Sequence, residues 1–262
     1  MRASRRGAVA GWMALAAPAH AADADCRPAG AEPAEIASIT RQGTFRLRDG
    51  RELTLAHLLP LDSSLAEDHG SGTAQLRAWL AGQKMSWKPA GEPDRWGRIP
   101  ANLFLQEPDG REPPFWLQAG LAQQGWAALW PGRMPAVCMA RLLAAERRAM
   151  AGSRGHWAAE VQAGHLARLA SNPDGAIGLR MAAVFRIRSV RSGRLGSFVN
   201  FVPSLHGSPS LFLTARQMEA FRHAQRDPFS WQGKRVLLRF VVPIQGIGRI
   251  RIEGIDHLLP ID

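Results

Sequence analysis

Ala183-Val184-Phe185-Arg186-Ile187-Arg188-Ser189-Val190 alternates apolar and polar residues, the two-residue period of a strand with one buried face. Ser192-Gly193 marks a turn, and residues 197–202 (Ser-Phe-Val-Asn-Phe-Val) return with the same period. Thr214, with Gln217 three residues on, is a capping box that opens a short helix. Two more strands are expected over residues 234–242 and 249–253.

Three or so strands, a helix and two strands are the count of a small OB-type barrel, placed at residues 179–262. Before it, Ser171-Asn172-Pro173-Asp174-Gly175 reads as a loop inside a linker at 161–178. Residues 136–151 form the clearest helix, with Leu142, Leu143 and Ala149 spaced to face a core. Residues 113–124 look helical and end at Gly125. Strands are expected at 84–87 and 99–105, and a helix at 73–81 capped by Thr73, with Leu76, Trp79 and Leu80 on one face. Residues 44–55 read as a hairpin around Asp49-Gly50. A first domain therefore spans 37–160, after an Ala/Pro/Asp-rich leader at 22–36 without regular structure. The fold class is mainly β with helices, α+β.

The chain has 262 residues, 46% hydrophobic and 21% charged, which suits two compact domains and excludes a disordered chain. Residues 1–21 have the layout of a secretory signal peptide: Arg2, Arg5 and Arg6, a short apolar stretch, then Ala19-His20-Ala21. The expected location is periplasmic or secreted, with cleavage near Ala21 and no membrane span. Removing those three arginines from 33 basic residues leaves 30 against 22 acidic, a surplus of +8. Such a surplus favours polyanionic partners, although the arginine bias also fits a GC-rich genome. In an oxidising space Cys26 and Cys138 suggest one disulfide, the alternative being two free thiols.

Asp94-Arg95-Trp96-Gly97-Arg98 is similar to the Asp-Arg-Tyr-Gly-Arg turn of the staphylococcal nuclease (thermonuclease) family. The stretch Trp116-Leu117-Gln118-Ala119-Gly120-Leu121-Ala122-Gln123-Gln124-Gly125-Trp126-Ala127 resembles that family's Gln-Gly-Leu-Ala helix end. Residues 142–149 and Gly155-His156-Trp157 resemble its last helix and terminal Gly-Leu-Trp. Residues 37–158 are covered in this way. The second domain resembles, more weakly, an OB-like extension of some exported bacterial members, through Ser197-Phe198-Val199-Asn200-Phe201 and Trp231-Gln232-Gly233-Lys234-Arg235-Val236. The resemblance implies a staphylococcal-nuclease-like OB-fold barrel followed by a second small OB-like β-barrel.

The family cleaves DNA and RNA with calcium, two metal aspartates, two phosphate-binding arginines and a glutamate near the attacking water. By resemblance those places fall on Gly43 and Leu59, on Thr54 and Arg98, and on Asp62. Only Arg98 and Asp62 keep the chemistry, so the expected metal set is none and the expected cofactor is none. A slip in register would recruit Asp49, Glu52 or Asp68, and only then would calcium have a seat.

Each residue has a plainer reading. Arg98 either binds phosphate or holds its turn. Asp62 before Ser63-Ser64 is more often a helix cap than a base. Trp96 in a glycine-bearing turn suits base stacking; Trp126 suits a core. Arg95 joins Trp96 and Arg98 as a nucleic-acid contact. Arg186, Arg188, Arg191 and Arg194 on one hairpin, with Arg235, Arg239, Arg249 and Arg251 on another, form either a basic face over which Phe198 or Phe201 stacks a base, or a solvated sheet face. His57 reads as a structural histidine in an apolar strand. There is no phosphate-cradling glycine loop, no Gly-x-Ser-x-Gly elbow and no His/Cys/Asp cluster with metal spacing. The expected function is a degenerate nuclease that binds nucleic acid or another polyanion. The alternatives are an active secreted phosphodiesterase with an atypical site, and an envelope interaction protein.

Overall fold

The computed structural model describes residues 26, 30–40, 43–59, 72–106, 114–163, 178–202, 210–242 and 250–261. The expected signal peptide, Asp62, Asp68 and most of the expected linker lie outside these residues.

The first half is built on β1 (Glu32–Ala34), β2 (Ile36–Ile39), β3 (Phe45–Leu47), β4 (Glu52–Leu55), β5 (Met85–Pro89), β6 (Ile99–Leu105) and β7 (Phe115–Trp116). Its sheet runs β1-β5-β6-β4-β3-β2, with β7 added to β6. The β4–β6 pair is parallel and the others are antiparallel. The strands at the two ends of that order, β1 and β2, are separated in sequence by Glu35 alone. One bent segment thus serves both edges, and the sheet curls into a half-barrel consistent with an OB-like fold. The leader is therefore not wholly irregular: residues 32–34 pair with β5. Pro33 donates no N–H, and β1 tolerates it as an end strand of the sheet.

Three helices pack on this sheet: α1 (Gly72–Leu80), α2 (Leu117–Gln124) and α3 (Ala136–Ala151). Phe115 and Trp116 pair with Leu105 and Phe104, so the helix expected from residue 113 begins only at Leu117. It ends where the sequence indicates. Gly125 has φ 69°, and a Cβ there would sit 2.1 Å from the Arg154 carbonyl oxygen. Cys26 and Cys138 form a disulfide that ties the described start of the chain to the first turn of α3.

The second half contains β8 (Arg180–Gly193), β9 (Gly196–Val202), β10 (Leu211–Thr214), α4 (Ala215–His223), β11 (Arg235–Val241) and β12 (Leu258–Pro260). The sheet is antiparallel in the order β10-β9-β8-β11-β12. β8 pairs with β11 along its first half and with β9 along its second, with a bulge between Ile187 and Ser189. The tight turn is Arg194-Leu195, between the paired Gly193 and Gly196, two residues later than Ser192-Gly193. The capping box is present: Gln217 N–H donates to Thr214 Oγ1 at 3.2 Å and Thr214 N–H to Gln217 Oε1 at 2.9 Å. The strand expected at 249–253 reduces, among the described residues, to a parallel bridge from Ile250 to Leu211. The edge beside β11 is taken by β12.

Each half has its own apolar core, and a third cluster joins them. Leu59, Ala128, Trp130, Ala149 and Trp157 of the first half pack with Ala182, Leu237 and Leu259 of the second. This contact covers the part of the outer face formed by the start of β8, β11 and β12, so β11 is buried on both sides over Val236 to Phe240. Among the described residues no helix is long and apolar enough to cross a membrane.

Candidate functional site

The turn between β5 and β6 is organised by Asp94. Asp94 Oδ1 accepts from the backbone N–H groups of Trp96 at 2.9 Å and Arg98 at 3.0 Å. Oδ2 accepts from Arg98 Nε at 2.8 Å and lies 2.7 Å from Nη2. Asp94 N–H donates to Arg98 O, and Gly97 N–H to Asp94 O, both at 2.9 Å. Gly97 supplies the left-handed φ of 77° that closes the loop. Partial burial works to raise the Asp94 pKa. The Arg98 guanidinium and the two amides outweigh it, so the carboxyl stays below its ordinary value.

This frame presents Trp96 to solvent, 63% exposed. The guanidinium carbon of Arg95 lies 3.9 Å from the indole centroid, and that of Arg98 lies 4.7 Å away. Arg95, Trp96 and Arg98 are thus brought together. Arg98 holds its turn and sits beside Trp96 at once, so its two sequence readings are compatible.

Of the acids a slipped register would recruit, Asp68 lies outside the described residues, and Asp49 and Glu52 are each held by an arginine. Asp49 is bound by Arg51, with Oδ2 2.7 Å from Nε, and Glu52 by Arg46 at 2.6 Å. Among the described residues no three His, Cys, Asp or Glu side chains cluster to hold a metal. Gly43 closes a turn through its N–H to Thr40 O. Leu59, in the other aspartate place, packs in the apolar contact between the halves. Thr54 lies on β4 opposite Pro100.

Of Arg186, Arg188, Arg235 and Arg239 in the second sheet, three are exposed and one is not. Arg186 and Arg235 are exposed and opposite each other on β8 and β11; Arg186 Nη1 donates to Gly233 O at 2.6 Å. Arg188 is exposed at the bulge. Arg239 is a correction: it is 0% exposed and reaches no ligand from outside. Its guanidinium pairs with Glu146 of α3, its Nε donates to Leu129 O at 2.7 Å, and its Nη1 donates to Asp256 O at 3.0 Å. Glu146 Oε1 accepts from Leu129 N–H at 2.9 Å. Burial pushes the Glu146 carboxyl above its usual range, against the pull of Arg239. An arginine stays protonated in a protein, so the pair is held as an ion pair.

Phe201 is buried, which leaves Phe198 as the outward ring of the two expected. Trp126 packs on the core as expected, edge-on to Trp79 at 6.0 Å. His57 sits in the turn after β4, not within a strand, and its carbonyl accepts from Trp130 N–H. Sequence reasoning missed Asp94 and Glu146 as organising acids. Asp94 had a signal, an aspartate three residues before a glycine. Set against known proteins, the chain matches no family model and no curated protein.

Proposed function

We propose that this chain is an exported, staphylococcal-nuclease-like protein without that family's metal chemistry, which binds nucleic acid through the Asp94–Arg98 turn. Trp96 carries the reading: a solvent-facing indole with two guanidinium groups beside it, in a turn that its own aspartate holds rigid. Such a unit offers a base a stacking face and a phosphate a charge, without regard to sequence. The basic surplus of the chain supports a polyanionic ligand. A glycine and a core leucine in the places of the metal aspartates support the loss of cleavage. The signal-like first 21 residues and the disulfide support export.

The test is a titration of single-stranded DNA against salt, run beside a cleavage assay with calcium and with chelator. Affinity falls linearly in log–log form, by about 0.7 per phosphate contact. Trp96→Ala weakens binding about tenfold while the fold survives. Chelator-sensitive cleavage would make the protein an active phosphodiesterase. No binding at low salt would leave the interaction-protein reading.

A further inference from the structure

The two strands that carry the Asp94–Arg98 turn have a second end. Pro89 and Ile99 flank the turn, whereas Lys84, Ser86 and Gln106 lie at the other end of the β5–β6 pair, about 17 Å along the strands. A groove of about 530 Å³ opens there, lined by β1, the start of β5, Gln106 and Pro114. We infer that this groove binds a medium-chain carboxylate. Lys84, Ser86 and Gln106 hold the anionic head, and the aliphatic tail lies against Pro33, Ala34 and Pro114. The site is independent of the nucleic-acid reading above.

The strand register builds the polar corner. Met85 is opposite Leu105, so Lys84 stands opposite Gln106, and Gln106 N–H donates to Lys84 O at 2.8 Å. Ser86 is two residues along the same strand and shares the face of Lys84. Gln106 Nε2 donates to Ser86 Oγ at 2.7 Å. Ser86 is 5% exposed, yet among the described residues its own hydroxyl proton meets no acceptor. The second N–H of the Gln106 amide is equally uncommitted among them, so two donors lie side by side at the groove. A ligand oxygen gives the buried proton the acceptor that the protein does not.

Lys84 brings the charge. It is exposed, and among the described residues no carboxylate pairs with it. Glu35, the acid of the described lining, is offset by Arg48: its Oε2 lies 3.7 Å from Arg48 Nε, and its backbone O accepts from Arg48 N–H at 2.9 Å. The rim therefore favours an anion. The walls are aliphatic, and among the described residues no aromatic ring lines them, so they suit an alkyl chain and offer a base no stacking face. The volume falls within the roughly 300–1,000 Å³ of small-molecule sites. A peptide strand added along β1 is a poor occupant. The Gln106–Lys84 bond turns the backbone groups of Lys84 and Ser86 toward β6, so Pro33, opposite Ser86, points its nitrogen to the open edge, where it has no N–H to give.

Binding to the disulfide-bonded protein is read by calorimetry and by amide shifts in nitrogen-15 spectra. The probes are octanoate, octan-1-ol, which has the tail without the charge, and acetate, which has the head without the tail. Octanoate should bind with a Kd on the order of 1 mM or tighter, and the other two about tenfold or more weakly. The shifted amides should be those of residues 31–35, 84–86 and 106.

Lys84→Met, an exposed change that leaves the core alone, should weaken octanoate about tenfold and leave octan-1-ol within about twofold. Ser86→Ala should weaken octanoate by about threefold to tenfold. Ala31→Trp, at the half-buried end of the groove, should block both octanoate and octan-1-ol. Lys84→Met keeps the test open if either of those two variants fails to fold. Octanoate affinity unchanged in Lys84→Met, equal affinity for octan-1-ol, or shifted amides elsewhere would overturn the inference. Trp96→Ala should leave octanoate binding intact. Loss of it there, or displacement of octanoate by oligothymidylate, would make the groove part of the nucleic-acid site and end its separate role. Octanoate binding in a protein that binds no nucleic acid leaves this inference standing while the proposed function falls.

Discussion

Asp94 and Arg98 meet four residues apart within one partly exposed turn, whereas Glu146 and Arg239 meet 93 residues apart, at 1% and 0% exposure. The chemistry is the same and the work differs. Water screens the first pair, so its value is geometric: it fixes the turn that carries Trp96. The second pair has lost its water on both sides. It stands because Glu146 and Arg239 also take the N–H and C=O of Leu129, and because the Asp256 carbonyl takes another guanidinium proton. A buried pair of this kind adds little net stability over an apolar pair of equal shape. What it adds is orientation, because the second sheet docks on α3 only where both charges are met.

The largest expected effect follows from that difference. Glu146→Ala leaves a buried arginine unmatched and should cost about 3–5 kcal/mol in urea unfolding. Glu146→Leu combined with Arg239→Met should recover most of it. A double variant as unstable as the single one would mean that the pair is indispensable and not merely orienting.

How far each pair could be read from the sequence follows the same division. Asp94, Gly97 and Arg98 lie within a turn whose local chemistry is printed in five consecutive residues. The helix at Ala136–Ala151, the Gly125 stop and the Thr214 capping box were legible for the same reason. So was the two-residue period of β8 and β9. Glu146 and Arg239 depend on tertiary contact. Arg235, Leu237, Arg239 and Val241 alternate with core residues and read as a solvated face. The hint against that was Leu237, with Val184 opposite it and Ala182 opposite Arg239 on the same outer face: three apolar positions where water was expected. Pro33 in β1 and the short β12 were missed because pairing with distant strands, not local propensity, makes them strands. Of the candidate site, Arg95, Trp96 and Arg98 come together, and Asp62 lies outside the described residues.

A second, smaller effect separates the two regions by pH. His257 is buried at the junction, with Nδ1 3.3 Å from Arg239 O and its ring edge-on to Trp130 at 4.9 Å. Burial lowers its pKa most; Arg239 acts in the same direction, and the Arg239 carbonyl, Glu253 and Asp256 act against it. Burial alone lowers that of His57. The unfolded chain therefore takes up protons from pH 6.5 downward that the folded chain refuses until lower pH. Stability should fall over that window, by at most about 1.4 kcal/mol per pH unit for each histidine. His257→Gln should flatten the slope measured by urea unfolding. An unchanged slope would remove the junction as its source.

The smallest global effect belongs to Asp94, and its size is the point. Its pKa is lowered, so its contribution is in place above the unfolded value of 3.8 and is lost only as pH falls through the lower folded value. That window opens at 3.8, below the 6.5 at which the one set by the histidines opens. Asp94→Ala removes the acceptor of the Trp96 and Arg98 amides and the anchor of the Arg98 guanidinium. Hydrogen exchange should quicken at those two amides while the urea midpoint barely moves, because the turn opens without disturbing either core. On the proposed function, nucleic-acid affinity should fall with it, since Trp96 and the Arg98 guanidinium are no longer held together. A drop in the midpoint to match Glu146→Ala would show that water does not screen this pair, and the contrast between the two regions would then lie in sequence distance alone.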